Sequence, residues 1–296
     1  MRLALLLALS LLLTAPARAD EWTEALIADL VERKAKTALA KYEAVIAAKH
    51  RQAKDASLRR MFLLARRGDT KGLAAEATRF LATWPDVPAK RFVSGIENKP
   101  AVYVRQVGGD LKRRLKTQRV TLNFAGTPLA DALGFLQDVS GIGFLALPDV
   151  EGSKPVTAQL QDVSLASALE QLLAVDGDLE CKPFAGLIVI GKDLAALRLH
   201  RWTKAEVEAD PSGALLIASR RVTLNFPGTP LSEVVQFLGD ITGLKVRLDD
   251  EVAKSDPDVR LRVRQVTLEA ALALCLRPHG LEFSLDAQGV RIRKSP

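Results

Sequence analysis

Arg119 to Leu129 reads RVTLNFAGTPL, and Arg221 to Leu231 reads RVTLNFPGTPL. Ten of the eleven positions are identical, and the single change is Ala125 to Pro227. Self-similarity at a fixed offset marks a duplicated structural unit. The match continues: Phe135-Leu136 pairs with Phe237-Leu238, Asp138 with Asp240, and Gly141 with Gly243. After one inserted residue, Val163-Ser164-Leu165 pairs with Val266-Thr267-Leu268, Ala168-Leu169 with Ala271-Leu272, and Gly177 with Gly280. The chain therefore divides into a segment 1–19, a region 20–118, a first copy 119–192, a linker 193–220 and a second copy 221–296.

Each copy reads as α+β. Val120, Leu122 and Phe124 alternate with Thr121 and Asn123, the period of a half-buried strand, and Val222, Leu224 and Phe226 repeat it. Gly126 and Gly228 are expected to end that strand. Thr127-Pro128 and Thr229-Pro230 read as an N-cap followed by Pro at the first helical position. Asp131 and Glu233 fall in the first turn, where the helix dipole favours them. Leu129, Leu133, Leu136, Val139 and Leu231, Val235, Leu238, Ile241 form the apolar stripes, and Gly141 and Gly243 the C-caps. A strand follows at 144–147 or 244–248. A loop over 148–155 or 249–257 then leads to another strand. The second helices open on the caps Ser164 and Thr267 and stop near Gly177 and Gly280. Two short strands close each copy, giving the order β-α-β-β-α-β-β.

This pattern, V-T-L-N-F-x-G-T-P-L, a helix ending D-[VI]-[ST]-G, and D-V-S-L-x-x-A-L-x-x-L-L after a further strand, resembles the short N-terminal (STN, N0-like) domain of secretins and TonB-dependent receptors. The likeness covers both copies, about half of the chain. It implies an α+β module with two helices between two small sheets, a docking role in the periplasm and no catalytic activity. No channel or receptor barrel follows the second copy before Pro296, so the expectation is free-standing docking rather than a pore.

The flanks carry other signals. Met1-Arg2, the apolar run Leu3–Leu13 and Ala17-Arg18-Ala19 read as a secretory signal peptide cleaved after Ala19. The run is shorter than the ~20 residues of a membrane span. No other stretch is apolar enough to cross, and no cysteine follows to carry a lipid. The expected location is periplasmic or secreted, which removes nucleic acid as a partner despite a net charge of +7. Residues 20 to about 84 have helical spacing. Leu73–Pro85 resembles the second helix of a tetratricopeptide repeat, although a lone repeat lacks the neighbours that stabilise it; a helical hairpin or bundle is the plainer reading. Residues 85–118 read as a mixed connector. Asp210-Pro211-Ser212-Gly213 reads as a turn in the linker.

Candidate chemistry is sparse. His50, His200 and His279 lie in separate segments, outside any catalytic or zinc-binding motif. Cys181 aligns with Phe283 and Cys275 with Leu172, so both read as buried thiols, with a disulfide between copies as the alternative. Asp249-Asp250-Glu251 lies on an expected loop without an EF-hand pattern. No two glycines stand three apart, which excludes the clamp loop of KH-type RNA-binding modules. No catalytic, cofactor or metal site is expected.

One difference between the copies is chemical. The outward strand positions of the second copy hold Lys245, Arg247, Arg260, Arg262 and Arg264, with Arg291 and Arg293 alternating in its last strand. The first copy has Gly143, Leu145, Thr157, Gln159 and Gln161 at the positions of the first five. These residues read as a basic docking face for an acidic partner or anionic envelope polymer, or as a solvated, charge-protected sheet edge.

Charge is also partitioned. Residues 20–118 hold 21 basic and 12 acidic side chains, the first copy 4 and 9, and the second 11 and 10. Contact between the basic region and the acidic copy, within or between chains, would follow. The function expected is that of an exported, non-catalytic protein–protein interaction protein, accessory to an envelope secretion, pilus or receptor assembly. Its partners would be envelope proteins held by sheet-edge strand addition or by an acidic surface. The alternatives are a self-assembling structural protein and a helical adaptor acting through 20–118.

Overall fold

The computed structural model describes residues 20–295; residues 1–19, expected above to be a signal peptide, lie outside the described residues. The region before the first copy is helical throughout. It comprises α1 (Glu21–Leu26), which runs into a π-helical turn at Ile27–Val31, then α2 (Ala35–Ala47), α3 (Ala53–Arg66), α4 (Thr70–Thr83), α5 (Lys90–Asn98), α6 (Pro100–Gln106) and α7 (Leu111–Thr117). Asp20 and Asp69 cap α1 and α4 by accepting from Thr23 N–H and Gly72 N–H, both at 2.8 Å. The mixed connector is thus three helices, and Pro100 opens one of them at the position where its missing N–H costs nothing. Phe80, Val93, Ile96 and Val104 share an apolar core with Met61 and Leu73.

The first copy contains β1 (Arg119–Pro128), α8 (Leu129–Ser140), β2 (Gly143–Ala146), β3 (Pro155–Ser164), α9 (Leu165–Leu173), β4 (Glu180–Phe184) and β5 (Leu187–Gly191). The linker holds α10 (Lys204–Ala209) and α11 (Pro211–Ser219). The second copy contains β6 (Arg221–Pro230), α12 (Leu231–Thr242), β7 (Val246–Leu248), α13 (Asp250–Ser255), β8 (Asp258–Thr267), α14 (Leu268–Leu276), a 3-10 turn at Arg277–His279, β9 (Leu281–Asp286) and β10 (Gly289–Lys294). The chain is mixed α+β with small sheets. In each copy an antiparallel pair, β1-β3 or β6-β8, accompanies a three-stranded sheet, β2-β5-β4 or β7-β10-β9.

The pairings explain the repeated RVT. Each antiparallel pair bulges after its second residue, and the extra residue of the partner strand, Asp162 or Gln265, adopts a left-handed φ of 49° or 53°. Thr121 and Thr223 accept its N–H at 3.1 Å in both copies. Arg119 and Arg221 donate to its carbonyl. Arg and Thr thus satisfy a bulge that β-pairing leaves open, while Val and Leu face the core.

Several local expectations need correction. The first strands run through Gly126 and Gly228 to the prolines, and the helices begin at Leu129 and Leu231. Pro128 and Pro230 occupy the cap position with extended backbone and no side-chain cap. Carbonyls of the following loop do the capping: Lys154 and Pro257 accept from Leu129 and Leu231 N–H at 2.9 and 3.1 Å. Residues 249–257 contain α13 rather than a loop alone. Helix α9 ends at Leu173, before Gly177. Asp210-Pro211 is a helix–helix junction, where Asp210 accepts from Gly213 N–H at 2.8 Å.

The cores do not follow the copies. One apolar cluster fills the first copy, with Leu122, Leu136, Leu169 and Ile190. A second joins Trp22, Leu26 and Tyr42 of the helical region, Val207 and Ile217 of the linker, and Leu272 of the second copy. The apolar run Leu187–Ile190 is buried on both faces. Ile188 and Ile190 point into the first copy, and Val189 enters the joint core with Leu194 and Leu197 of the linker. Lys182, paired with Val189 across the sheet, donates to the Leu194 and Leu197 carbonyls at 2.8 and 2.7 Å. The basic helical region meets the first copy without an ion pair among the described residues: Leu111 joins that copy's core, Arg114 donates to the Ser140 carbonyl, and a β-carbon on Gly108 would lie 2.5 Å from Gly186 Cα. The acids Asp162 and Asp176 of that copy pair with its own Arg119, Lys154 and Lys192.

Glu206 fastens the linker to the second copy. It completes a capping box with Thr203, accepts from Leu285 N–H at 3.1 Å, and pairs with His200 at 2.9 Å. Burial alone would raise its carboxyl, but the bonds from His200, Thr203 and Leu285 outweigh it and hold the pKa at about 2. A lowered carboxylate pKa stabilises above its unfolded value of 4.5, and that contribution is lost as pH falls toward 2. Glu206→Gln is expected to cost about 1–3 kcal/mol at neutral pH. It should also flatten the acid limb of stability below pH 4.5, as read by urea midpoints against pH. An acid limb as steep as wild type would contradict this assignment.

Candidate functional site

The seven basic residues do not form one face. Lys245, exposed, precedes β7; Arg247 lies on β7, and Arg291 and Arg293 on β10, of the three-stranded sheet. Arg260, Arg262 and Arg264 lie on β8 of the separate two-stranded sheet. The three arginines of the first group are neutralised. Arg247 donates both Nη2 bonds to Asp286 at 2.7 and 2.8 Å, Arg291 forks onto Asp249 at 2.6 and 3.0 Å, and Arg293 reaches Glu282 at 3.0 Å. Leu145 and Val189 stand in the first copy where Arg247 and Arg291 stand in the second. The first copy covers that sheet face with the joint core, whereas the second leaves it to solvent, so burial accounts for this part of the charge difference. Arg260, Arg262 and Arg264 alternate with buried Val259, Leu261 and Val263, are exposed, and make no hydrogen bond or ion pair among the described residues.

The clearest repeated surface feature is apolar. Phe135 and Val139 on α8 are 43% and 47% exposed; Phe237 and Ile241, their counterparts on α12, are 43% and 39% exposed. Val139 and Ile241, expected in the core stripe, thus lie outside it. Leu136 is followed one turn later by buried Ser140, which takes that slot on the first copy's helix. Each pair stands four residues apart, so its side chains adjoin on the helix surface. The ring of Phe135 meets Phe124 edge-on at 5.7 Å, and that of Phe237 meets Phe226 at 5.8 Å. The signal available in sequence was the adjacent Phe-Leu in both copies, which a single stripe cannot bury together.

Other candidates resolve simply. His200 stacks on Phe283 at 4.2 Å and pairs with Glu206. His50 stands 4.0 Å from Asp20, and His279 is exposed in the 3-10 turn. Cys275 is buried in α14, where burial pushes its thiol up to about 12. Cys181, expected to be buried, is exposed on β4, and both thiols are free. Asp249 is occupied by Arg291, and no group of three His, Cys, Asp or Glu among the described residues is placed to hold a metal. No described helix is long and apolar enough to cross a membrane. In comparisons with known proteins, no protein family, curated protein or solved structure matches the chain.

Proposed function

We propose that this chain is a non-catalytic interaction protein of the cell envelope, exported by a cleaved signal peptide and docking through two tandem modules of the secretin/TonB short N-terminal kind. The observation that carries the reading is the exposed pair Phe135/Val139, repeated as Phe237/Ile241. Exposed large side chains gathered at one place on a surface mark recognition more often than isolated ones do. Here the same placement recurs on both copies although their charges differ. The unpaired arginines of β8 add a second contact of opposite chemistry, suited to an acidic rim on the partner.

The test uses the intact mature chain, because α1, α2 and the second copy share one core. Phe135→Ser with Val139→Ser, and Phe237→Ser with Ile241→Ser, should change stability by no more than about 0.5–1 kcal/mol, as exposed sites do. Pull-down from envelope extract should lose a specific partner at least in part with either pair and fully with all four. Undiminished capture by the fourfold variant would sink the proposal. Light scattering on the same samples separates the competing self-assembly reading, which requires a wild-type oligomer dissolved by the same substitutions.

A further inference from the structure

A cleft of about 620 Å³ lies where the helical region and the two copies meet. Its walls come from α6 and α7, the α8–β2 junction, the β4–β5 turn, the start of β6 and the end of β8. Five arginines line it, Arg105, Arg114, Arg221, Arg262 and Arg264, and no Asp or Glu does. By contrast, in the helical region Arg59 meets Asp29, and Arg60 and Arg79 meet Glu43 and Glu76. In the cleft, Arg114 donates to the Ser140 carbonyl and, at 3.4 Å, to Gln118. Arg221 donates to the Gln106 carbonyl at 2.9 Å and to that of Gln265. Each guanidinium has five N–H donors, so most remain available. The side chains of Arg105, Arg262 and Arg264 make no hydrogen bond or ion pair among the described residues. Burial lowers the pKa of Arg114 and Arg221, and the smaller opposing effects of Asp110 on Arg114 and of Tyr103 on Arg221 do not offset it.

The duplicated strands show how this charge arose within the chain. In the first copy Arg119 pairs with Asp162, and Gln159 and Gln161 flank that bulge. In the second copy Gln265 replaces the acid, freeing Arg221, and Arg262 and Arg264 replace the two glutamines. All three changes raise positive charge at one wall of one cleft.

We propose that this cleft binds a small free polyanion, carrying two or more phosphate or carboxylate groups, on the guanidinium forks of Arg105, Arg114, Arg221, Arg262 and Arg264. Guanidinium matches either oxyanion bidentately, and the volume is that of an ordinary small-ligand site. The site shares Arg262 and Arg264 with the basic docking contact proposed above but does not rest on it, and the ligand would clamp three units together.

Titration calorimetry of the intact mature protein at low ionic strength, with pyrophosphate and separately with citrate, tests it. Binding of at least one probe is expected, with a rise in melting temperature. Arg262→Gln with Arg264→Gln restores the first copy's residues at exposed positions and should weaken binding about tenfold or more. Gln265→Asp should weaken it as well by returning a partner to Arg221. Arg291→Gln with Arg293→Gln, on the other sheet, should leave it within about twofold. Absence of heat with both probes overturns the proposal, as does an equal loss in the Arg291/Arg293 control. Sedimentation with phosphatidylglycerol vesicles but no binding of free anions would overturn it in favour of a membrane surface.

Discussion

Arg59→Ala is expected to cost about 3–5 kcal/mol, the loss typical of removing one partner from a buried ion pair. Arg59 and Asp29 are both about 5% exposed and joined at 2.6 Å. Arg59 also donates to the Ala218 carbonyl and the Ser219 hydroxyl, both at 3.1 Å, and lies 4.7 Å from the centre of the Phe62 ring. Tyr42 donates its hydroxyl to the same Asp29 oxygen at 2.9 Å. One guanidinium therefore ties the π-helical turn, α3 and α11 together. Burial would lower its pKa, but the Asp29 charge and hydrogen bond, with Tyr42 and Glu269, together outweigh this and keep it raised. Truncation leaves Asp29 buried with only a phenol, and leaves an α11 carbonyl unpaired. Asp29→Asn added to Arg59→Ala removes the stranded charge and should recover part of the loss. Urea denaturation followed by tryptophan fluorescence reads it, since Trp22 and Trp202 lie in the joint core. A single-variant loss below about 1 kcal/mol would mean that water reaches the pair.

Leu136→Ala and Leu238→Ala, at the same position of the two copies, should each cost about 2–5 kcal/mol yet read out differently. Both side chains are buried, at 0% and 2% exposure. Leu136 belongs to the core that the first copy shares only with Leu111 and Leu115 of α7, and Leu238 to the joint core. The tryptophans, Trp22, Trp84 and Trp202, all lie outside the first copy. Leu136→Ala should advance unfolding seen by far-ultraviolet circular dichroism while leaving most of the fluorescence transition in place. Leu238→Ala should advance both signals together. Coincident transitions in Leu136→Ala would show instead that the Val189 contact makes the whole chain one cooperative unit.

Local chemistry was readable where it is decided locally. Ser164 and Thr267 cap their helices by accepting from Ser167 and Ala270 N–H. Gly141 and Gly243 take left-handed φ of 63° and 74° at the helix ends. These outcomes depend on residues a few positions apart. The first-helix starts were misplaced because their capping groups, the carbonyls of Lys154 and Pro257, come from about 25 residues downstream. The arginine face was misjudged for a related reason. Alternation along a strand says which residues share a side of that strand, but not which sheet the strand joins.

The sequence by itself determined the duplication, its strand and helix alphabet, and the division of charge, because identical local patterns impose identical backbone preferences. The tertiary structure alone decided which surfaces are used up. It buried Val189 and left Arg291 in solvent, drew the linker and the first helices into the second copy's core, and gathered arginines from three segments around one cleft. These outcomes rest on contacts between residues far apart in the chain, 167 positions in the case of Arg33 and His200. Their free energy comes from apolar area excluded from water when units meet, a quantity no single stretch of sequence contains.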